Sequence, residues 1–219
     1  MPSAETGIII RKFSPQDKEQ VRRISYETAF MGEPSANFFE GDEIIADALT
    51  LYFTDFEPQS CFVAESSGQV IGYLIGSKDA ALMNTVFNKK ILPRLLLKAL
   101  RKGIFLKNKN ILFFISFLRS LLKRELRDPD FSRLYPATLH LNIQRGFRGL
   151  GIGSQLISVY LDYIAKEKIR GVHFATISDK AQSFFMKQGF SQLFQGRRSY
   201  FRHLLHTDVQ IFIYGKSLQ

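Results

Sequence analysis

Gln144-Arg145-Gly146-Phe147-Arg148-Gly149-Leu150-Gly151-Ile152-Gly153-Ser154 is the stretch on which the reading of this chain turns. Before it, Thr138 to Ile143 alternates Leu139, Leu141 and Ile143 with Thr138, His140 and Asn142, the period of a half-buried strand. After it, Gly151 to Lys168 places Leu156, Ile157, Tyr160, Leu161 and Ile164 on one helical face. A strand that runs through a glycine-rich turn into a helix exposes consecutive backbone N–H groups at the positive end of the helix dipole. Such a turn can hold a phosphate or pyrophosphate, and Arg148 adds a fixed positive charge. Gly149, Gly151 and Gly153 are spaced two apart, which is not the G-x-G-x-x-G of a dinucleotide fold, and no G-K-S/T follows to make a P-loop. On these residues alone, a glycine-lined loop kept for close packing remains the alternative.

Working outward, Ile8-Ile9-Ile10 with Lys12-Phe13 reads as a first strand, and Ser14, Pro15 and Asp17 read as the cap of a helix carrying Val21 and Ile24. A second helix is expected from about Asp42 to Phe53. Cys61 to Glu65 and Val70 to Ile75 form a hairpin over Ser66-Ser67-Gly68-Gln69. Downstream of the glycine turn come a strand from Val172 to Ile177, a helix from Lys180 to Gln188, a strand from Phe190 to Phe194 and a final strand from Val209 to Tyr214. Strands and helices are therefore mixed, as in an α/β or α+β fold.

Two motifs then carry a resemblance. Arg148-x-x-Gly151-x-Gly153 resembles the R/Q-x-x-G-x-G/A signature of the GNAT acyltransferases, and it lies between the strand and helix where that superfamily has it. Ala181-x-x-Phe184-Phe185-x-x-x-Gly189-Phe190 is similar to the superfamily's A-x-x-F-Y-x-x-x-G-F segment. The resemblance implies a mainly antiparallel mixed sheet splayed at the cofactor strand, with helices on both faces. It implies an acyl-CoA-dependent N-acyltransferase, using acetyl-CoA, in which an amine attacks directly in a ternary complex. The implied cofactor residues are Asn142 and Ile143 on the strand, Arg148, Gly149, Leu150, Gly151, Ile152, Gly153 and Ser154 on the turn, and Ser178 and Phe184 further on. A backbone N–H near Ile143 would polarise the thioester carbonyl.

The chain departs from the pattern at Phe185, where many relatives carry a tyrosine that protonates the departing thiolate, and near Ser178, where an asparagine is usual. Candidates for proton transfer are His140, Tyr200 and, in the acidic stretch between the first two helices, Glu40. Glu33, Asp42 and Glu43 share that stretch and could attract a cationic amine, or form a solvated acidic loop. His173 opens a strand and reads as structural. The four histidines form no ligand cluster, so no metal is expected. Cys61 lies in an apolar strand and reads as a buried, inert thiol.

The formal charge of +10 is unevenly placed. From Ala81 to Arg127 there are twelve basic residues and one acid, while the first 80 residues hold six bases against thirteen acids. The expectation is one domain over 1–219 with a basic helical hairpin inserted at about 81–130. One helix would start at Pro93 and present Leu95, Leu96, Ala99 and Leu100. The other would present Ile111, Phe114, Ile115, Leu118, Leu121 and Leu122. Three roles stay open for it: packing over the acceptor cleft, lying on an anionic membrane surface, or making a homodimer contact. Its aromatics sit on the apolar face and not between the basic residues, so nucleic acid is not expected. An alternative function follows, an acyl-CoA-binding module of weak catalytic power that acts through this insertion. Met1 to Gly7 does not read as a secretory leader, no apolar run approaches the ~20 residues of a membrane span, and a lone cysteine suits a reducing compartment. The expected location is the cytoplasm or the inner face of its membrane.

Overall fold

The computed structural model describes residues 7–178 and 181–218. Strand β1 (Ile9–Lys12) leads to helices α1 (Lys18–Glu27) and α2 (Asp42–Phe56), then to strands β2 (Cys61–Ser66) and β3 (Gln69–Ser77). Helices α3 (Ala80–Val86), α4 (Leu92–Arg101) and α5 (Asn108–Leu122) follow, then β4 (Thr138–Ile143), α6 (Ile152–Lys166), β5 (Gly171–Thr176), α7 (Gln182–Lys187), β6 (Ser191–Arg198), α8 (Arg202–Leu205) and β7 (Val209–Ser217). The expected start of α7 at Lys180 lies outside the described residues.

Local chemistry sets the turns. After β1, the Asp17 carboxylate accepts from the Ser14 N–H at 2.8 Å and from the Ser14 hydroxyl at 3.1 Å, and pairs with Arg11. Between β2 and β3, Ser67 and Gly68 both take positive φ, the two-residue hairpin geometry that matches strand twist.

The strands form two antiparallel sheets, ordered β1-β2-β3-β4 and β5-β7-β6. They meet where β4 and β5 begin, through a parallel bridge between Ala137 and Val172. The expected sheet, mainly antiparallel and splayed at β4, is thus the one found. Helix α1 covers one face, with Val21 and Ile24 buried against Val63, Tyr73 and Ile75. Helix α6 covers the other with Leu156, Ile157, Tyr160 and Ile164, packed on Phe62, Leu74 and Leu139. Each such fully buried large side chain contributes about 1.5–3 kcal/mol. Tyr160 also ties the layers together, since its hydroxyl lies 3.1 Å from the Ser77 carbonyl and 2.7 Å from that of Thr138.

The insertion differs from expectation. Its helix starts at Ala80, where the Asp79 side chain caps the N–H of Leu82 at 2.9 Å, and not at Pro93. Pro93 is accommodated because a π-helical turn, Phe87–Ile91, precedes it. A wider turn suits a residue that has no N–H and whose ring crowds the preceding turn's carbonyl. Helices α4 and α5 each pack on the body. Helix α4 lies on α2, while α5 lies on α8 and on the chain between α1 and α2.

The ring of Tyr160 occupies the space above Gly76, where a Cβ would lie 2.3 Å from its nearest ring atom. Gly76→Ala should therefore cost about 1–3 kcal/mol by overpacking, read as a fall in urea midpoint.

Candidate active site

The two sheets are joined at one end only. The Ala137 N–H donates to the Gly171 carbonyl at 3.0 Å, and the His173 N–H donates to the Ala137 carbonyl at 2.9 Å. Beyond that point β4 and β5 diverge. The register of β4 on β3 pairs Asn142 with Tyr73 and His140 with Ile75, and Gln144 donates to the Ile71 carbonyl at 2.9 Å. In an antiparallel ladder these even-numbered residues spend their backbone bonds on β3, so the N–H and C=O groups of Leu139, Leu141 and Ile143 point into the gap. A free strand edge inside a cleft can pair with the amides of an extended ligand. The Asn142 backbone is consumed by β3, whereas the N–H of Ile143 faces the gap.

At the open end of the gap the glycine turn leads into α6. Gly149 and Gly151 have φ of +84° and +77°, and no atom stands within 4 Å of where their Cβ would be. They are glycines for backbone conformation. Gly153 serves close packing, since its Cβ would lie 3.0 Å from the Phe184 ring and 3.4 Å from Ile143 Cδ1. Phe184 thereby packs between the start of α6 and the end of β4. No side chain caps α6, whose N-cap is Gly151, so the first N–H groups of the helix remain open to an anion. Leu150 is exposed on the rim, and the Ser154 hydroxyl accepts from Gln188, the C-cap of α7, at 3.0 Å. Ser178 follows β5, its N–H donating to the Thr176 hydroxyl at 3.1 Å.

Arg148 is held by two backbone carbonyls. Its Nε donates to the Ile143 carbonyl at 3.1 Å and its Nη2 to the Gly32 carbonyl at 2.9 Å. The guanidinium thus bridges the end of β4 and the α1–α2 connection across the mouth of the cleft.

On the α1 side of β4, His140 and Asn142 meet Tyr73. The Asn142 amide donates to the Tyr73 hydroxyl at 2.9 Å and lies 3.3 Å from His140 Nε2, while the Tyr73 hydroxyl is 3.4 Å from His140 Nδ1. Burial lowers the His140 pKa to about 4, so the ring is neutral near pH 7. Burial also raises that of Tyr73, which stays protonated. Sequence reasoning missed Tyr73, although a tyrosine inside an apolar strand must find a partner for its hydroxyl.

Tyr200 shares an aromatic and aliphatic cluster with Ala29 and Phe30 at the end of α1, Ile177 beyond β5, and Phe201. Its ring stacks edge-on to Phe201, with centroids 4.5 Å apart, and desolvation raises its pKa. Glu40 does not join this site. Its carboxylate pairs with Lys107 at 3.2 Å, and its backbone is held by Asn110. The neighbouring acids are also engaged: Glu33 with Arg145, Glu43 with Lys98 and Lys102, and Asp42 with the Ser35 hydroxyl. The two lysines hold the Glu43 carboxyl down to about 2. Glu40 and Glu43 therefore dock the basic insertion, and Glu33 and Asp42 are engaged by Arg145 and Ser35.

Phe185 faces the core, 4.4 Å from the Phe174 ring and beside Tyr214. His173 is structural, its Nδ1 2.6 Å from the Tyr135 carbonyl. Cys61 is buried, its thiol pushed up to about 12 by desolvation. A cavity of about 850 Å³ opens on the outer side of α1 and α2, reaching Lys102 and Lys107, and includes no residue of β4, β5 or α6. It is separate from the gap. Among the described residues no group of histidine, cysteine, aspartate and glutamate could hold a metal ion.

Residues 135–212 match the family model described as an acetyltransferase (GNAT) domain. Among solved structures, that of SsHAT aligns with a TM-score of 0.70 at 21% identity, covering 96% of this chain and 98% of that one. The polyamine N-acetyltransferase of Drosophila melanogaster, which forms N-acetylagmatine, aligns at 0.61 and 17%, covering 97% and 100%. The ribosomal-protein-alanine N-acetyltransferase of Brucella melitensis aligns at 0.54 and 16%, covering 96% and 99%. At these identities the likeness to the solved structures is one of fold. No curated protein matches the chain by sequence.

His140 gives a pH prediction. Its folded pKa of about 4 lies below the ordinary 6.5, so between these values the unfolded chain binds the extra proton. Stability is then full above about pH 6.5 and falls as pH drops towards 4, by at most about 3 kcal/mol. Urea midpoints of the wild type should fall more steeply over that window than those of His140→Gln.

Proposed function

We propose that this chain, which carries a GNAT acetyltransferase domain over residues 135–212, transfers the acetyl group of acetyl-CoA to a primary amine by direct attack in a ternary complex. The observation that carries the proposal is the unpaired edge of β4 beside the uncapped start of α6. In this reading the N–H groups of Ile152, Gly153 and Ser154 receive the pyrophosphate, and the backbone of Leu141 receives a pantetheine amide. The Ile143 N–H polarises the thioester carbonyl. A bond forms from the amine nitrogen to the acyl carbon as the carbon–sulfur bond breaks. The amine's proton passes to neutral His140, and Tyr200, protonated near neutral pH, returns one to the thiolate.

The acceptor follows from the surroundings. Glu33, Glu40 and Glu43, which could have held the distal charge of a polyamine, are each paired with a basic side chain. Met31 is exposed and Ala29, Ile177 and Tyr200 are partly buried at the open end of the gap. These side chains favour an amine carried on an apolar or aromatic body over a second cation such as agmatine. A second reading, an acyl-CoA-binding module with weak turnover, is favoured by Phe185, which faces the core and has no proton to give.

Calorimetric titration of acetyl-CoA tests the cofactor half. The wild type should bind, and Gly151→Val should bind at least about ten-fold more weakly, because a left-handed backbone costs a side-chain-bearing residue about 1–2 kcal/mol. Undiminished binding by the variant would remove the pyrophosphate assignment.

Thiol release across a panel running from agmatine to phenethylamine tests the transfer half. Tyr200→Phe should lower turnover about a hundred-fold with acetyl-CoA binding unchanged. Binding with no turnover on any amine would favour the second reading.

A further inference from the structure

Helix α5 is built inside out. Its fully buried residues are polar: Asn110, whose amide serves the backbone of Glu40 and Ile104, and Ser120, whose hydroxyl donates to Glu125 at 2.5 Å. Glu125 in turn accepts from the Ser199 N–H and hydroxyl. Two of the three aromatic residues of α5 turn inward as well, while Phe117 is 40% exposed beside Phe113 and Tyr200. Phe113 packs on Phe38, Phe39 and Phe201, and Phe114 on Phe39 and Phe105. The opposite side presents Ile111, Ile115, Leu118 and Leu122 in one exposed row, with Leu122 at 75% exposure. Helix α4 repeats the arrangement. Leu95 and Ala99 are buried on the body, while Leu92, Leu96 and Leu100 stand exposed one turn apart, and Leu106 beyond them is 81% exposed. These outward residues contribute little to the core, and they recur at one-turn spacing along each helix where singly scattered apolar residues are the ordinary case.

The charges around them are equally one-sided. Lys98, Lys102 and Lys107 are paired with Asp47, Glu43 and Glu40. Arg94, Arg101, Arg119, Arg124 and Arg127 have no carboxylate partner among the described residues. Arg119 lies one turn beyond Ile115, on the outward side.

We propose that the outward faces of α4 and α5 bind the surface of an anionic lipid bilayer. The apolar row enters the headgroup boundary, and the unpaired arginines reach lipid phosphates at its edge. No helix of the described residues is long and apolar enough to cross a membrane, so α5, about 22 Å long, lies in the plane of the interface. A second copy of this chain is a poor occupant, because it would bring two sets of unpaired arginines together. Protein partners commonly meet protruding aromatic anchors, and here the outward row is aliphatic, with the exposed Phe117 lying to its side against Phe113 and Tyr200.

This proposal is independent of the acetyl-transfer reading, and its test needs no acyl donor. The full chain is sedimented with vesicles of pure phosphatidylcholine and of equimolar phosphatidylcholine and phosphatidylglycerol, at low and high salt. At low salt, binding to the mixed vesicles should exceed that to phosphatidylcholine at least about ten-fold, and it should weaken at high salt. Each basic charge removed should weaken it about five-fold. Ile115→Glu with Leu118→Glu, and separately Arg119→Gln with Arg124→Gln, should each weaken it about ten-fold or more. Both pairs should keep the far-ultraviolet circular dichroism and melting of the wild type, since the positions are exposed. Absent binding to mixed vesicles, equal binding to both compositions, or binding that survives both substitution pairs would overturn the proposal. Concentration-dependent self-association lost in the same variants, without vesicle binding, would assign the face to a second copy instead. Capture of an acidic protein without vesicle binding would also overturn it.

Discussion

The two hydrogen bonds that Ala137 makes with the start of β5 hold the molecule in its working shape. They bring the four-stranded and three-stranded sheets together at one end, and their confinement to that end leaves the odd-numbered backbone groups of β4 without a partner strand, the Ile143 carbonyl alone being taken up by Arg148. An unpaired strand edge is a liability on an open surface. Here it is recessed between β4 and β5 and floored by Phe184, so it becomes a binding edge. The start of α6 lies at the open end of the same gap because the chain must turn sharply after β4, and Gly149 and Gly151 supply the left-handed backbone for that turn. Strand edge and helix start are thus placed together by one short stretch of chain.

A second constraint is electrostatic. The acidic excess of the first 80 residues and the basic excess of the insertion meet inside the molecule, through Glu40 with Lys107, Glu43 with Lys98 and Lys102, and Asp47 with Lys98. The exposed pairs of Glu40 and Glu43 contribute little singly. Their importance lies in fixing where the insertion sits. The aromatic cluster that joins Phe38 and Phe39 to Phe113 and Phe201 supplies the apolar contact beneath them. The insertion consequently braces both the α1–α2 connection and the β6–β7 connection, which flank the open end of the gap. Once these pairs are formed, the remaining positive charge lies on the outward side of α4 and α5, beside leucines that the core does not need.

Much of the architecture was legible in the sequence where a local signal had a local cause. The alternation from Thr138 to Ile143 marked β4 to the residue, because a half-buried strand has a period of two. The glycine turn and the amphipathic run after it marked the start of α6. Serine, proline and aspartate at 14, 15 and 17 marked the entry to α1. The insertion was less legible. Apolar residues at helical spacing show that a helix has two faces but not which face meets the protein. Of the expected stripe of Ile111, Phe114, Ile115, Leu118, Leu121 and Leu122, the body takes Phe114, and beside it Phe113, Asn110 and Ser120, while the rest are exposed.

The sequence by itself determined the order of elements, the turn that can hold an anion, and the segregation of charge, since each follows from spacing and composition along a few tens of residues. Only the tertiary structure decided which groups act together. The register of β3 on β4 set Tyr73 beside Asn142 and His140, and gave the backbone of Asn142 to the ladder while sparing that of Ile143. Docking of the insertion turned Glu40 and its neighbours from an open acidic patch into lysine partners, and sent the outward leucines to solvent. These outcomes depend on contacts between residues 60 to 70 positions apart, such as Tyr73 with Asn142 and Glu40 with Lys107. Such contacts leave no periodic trace in the chain, because they are fixed by the geometry of packing and not by the neighbours of each residue in sequence.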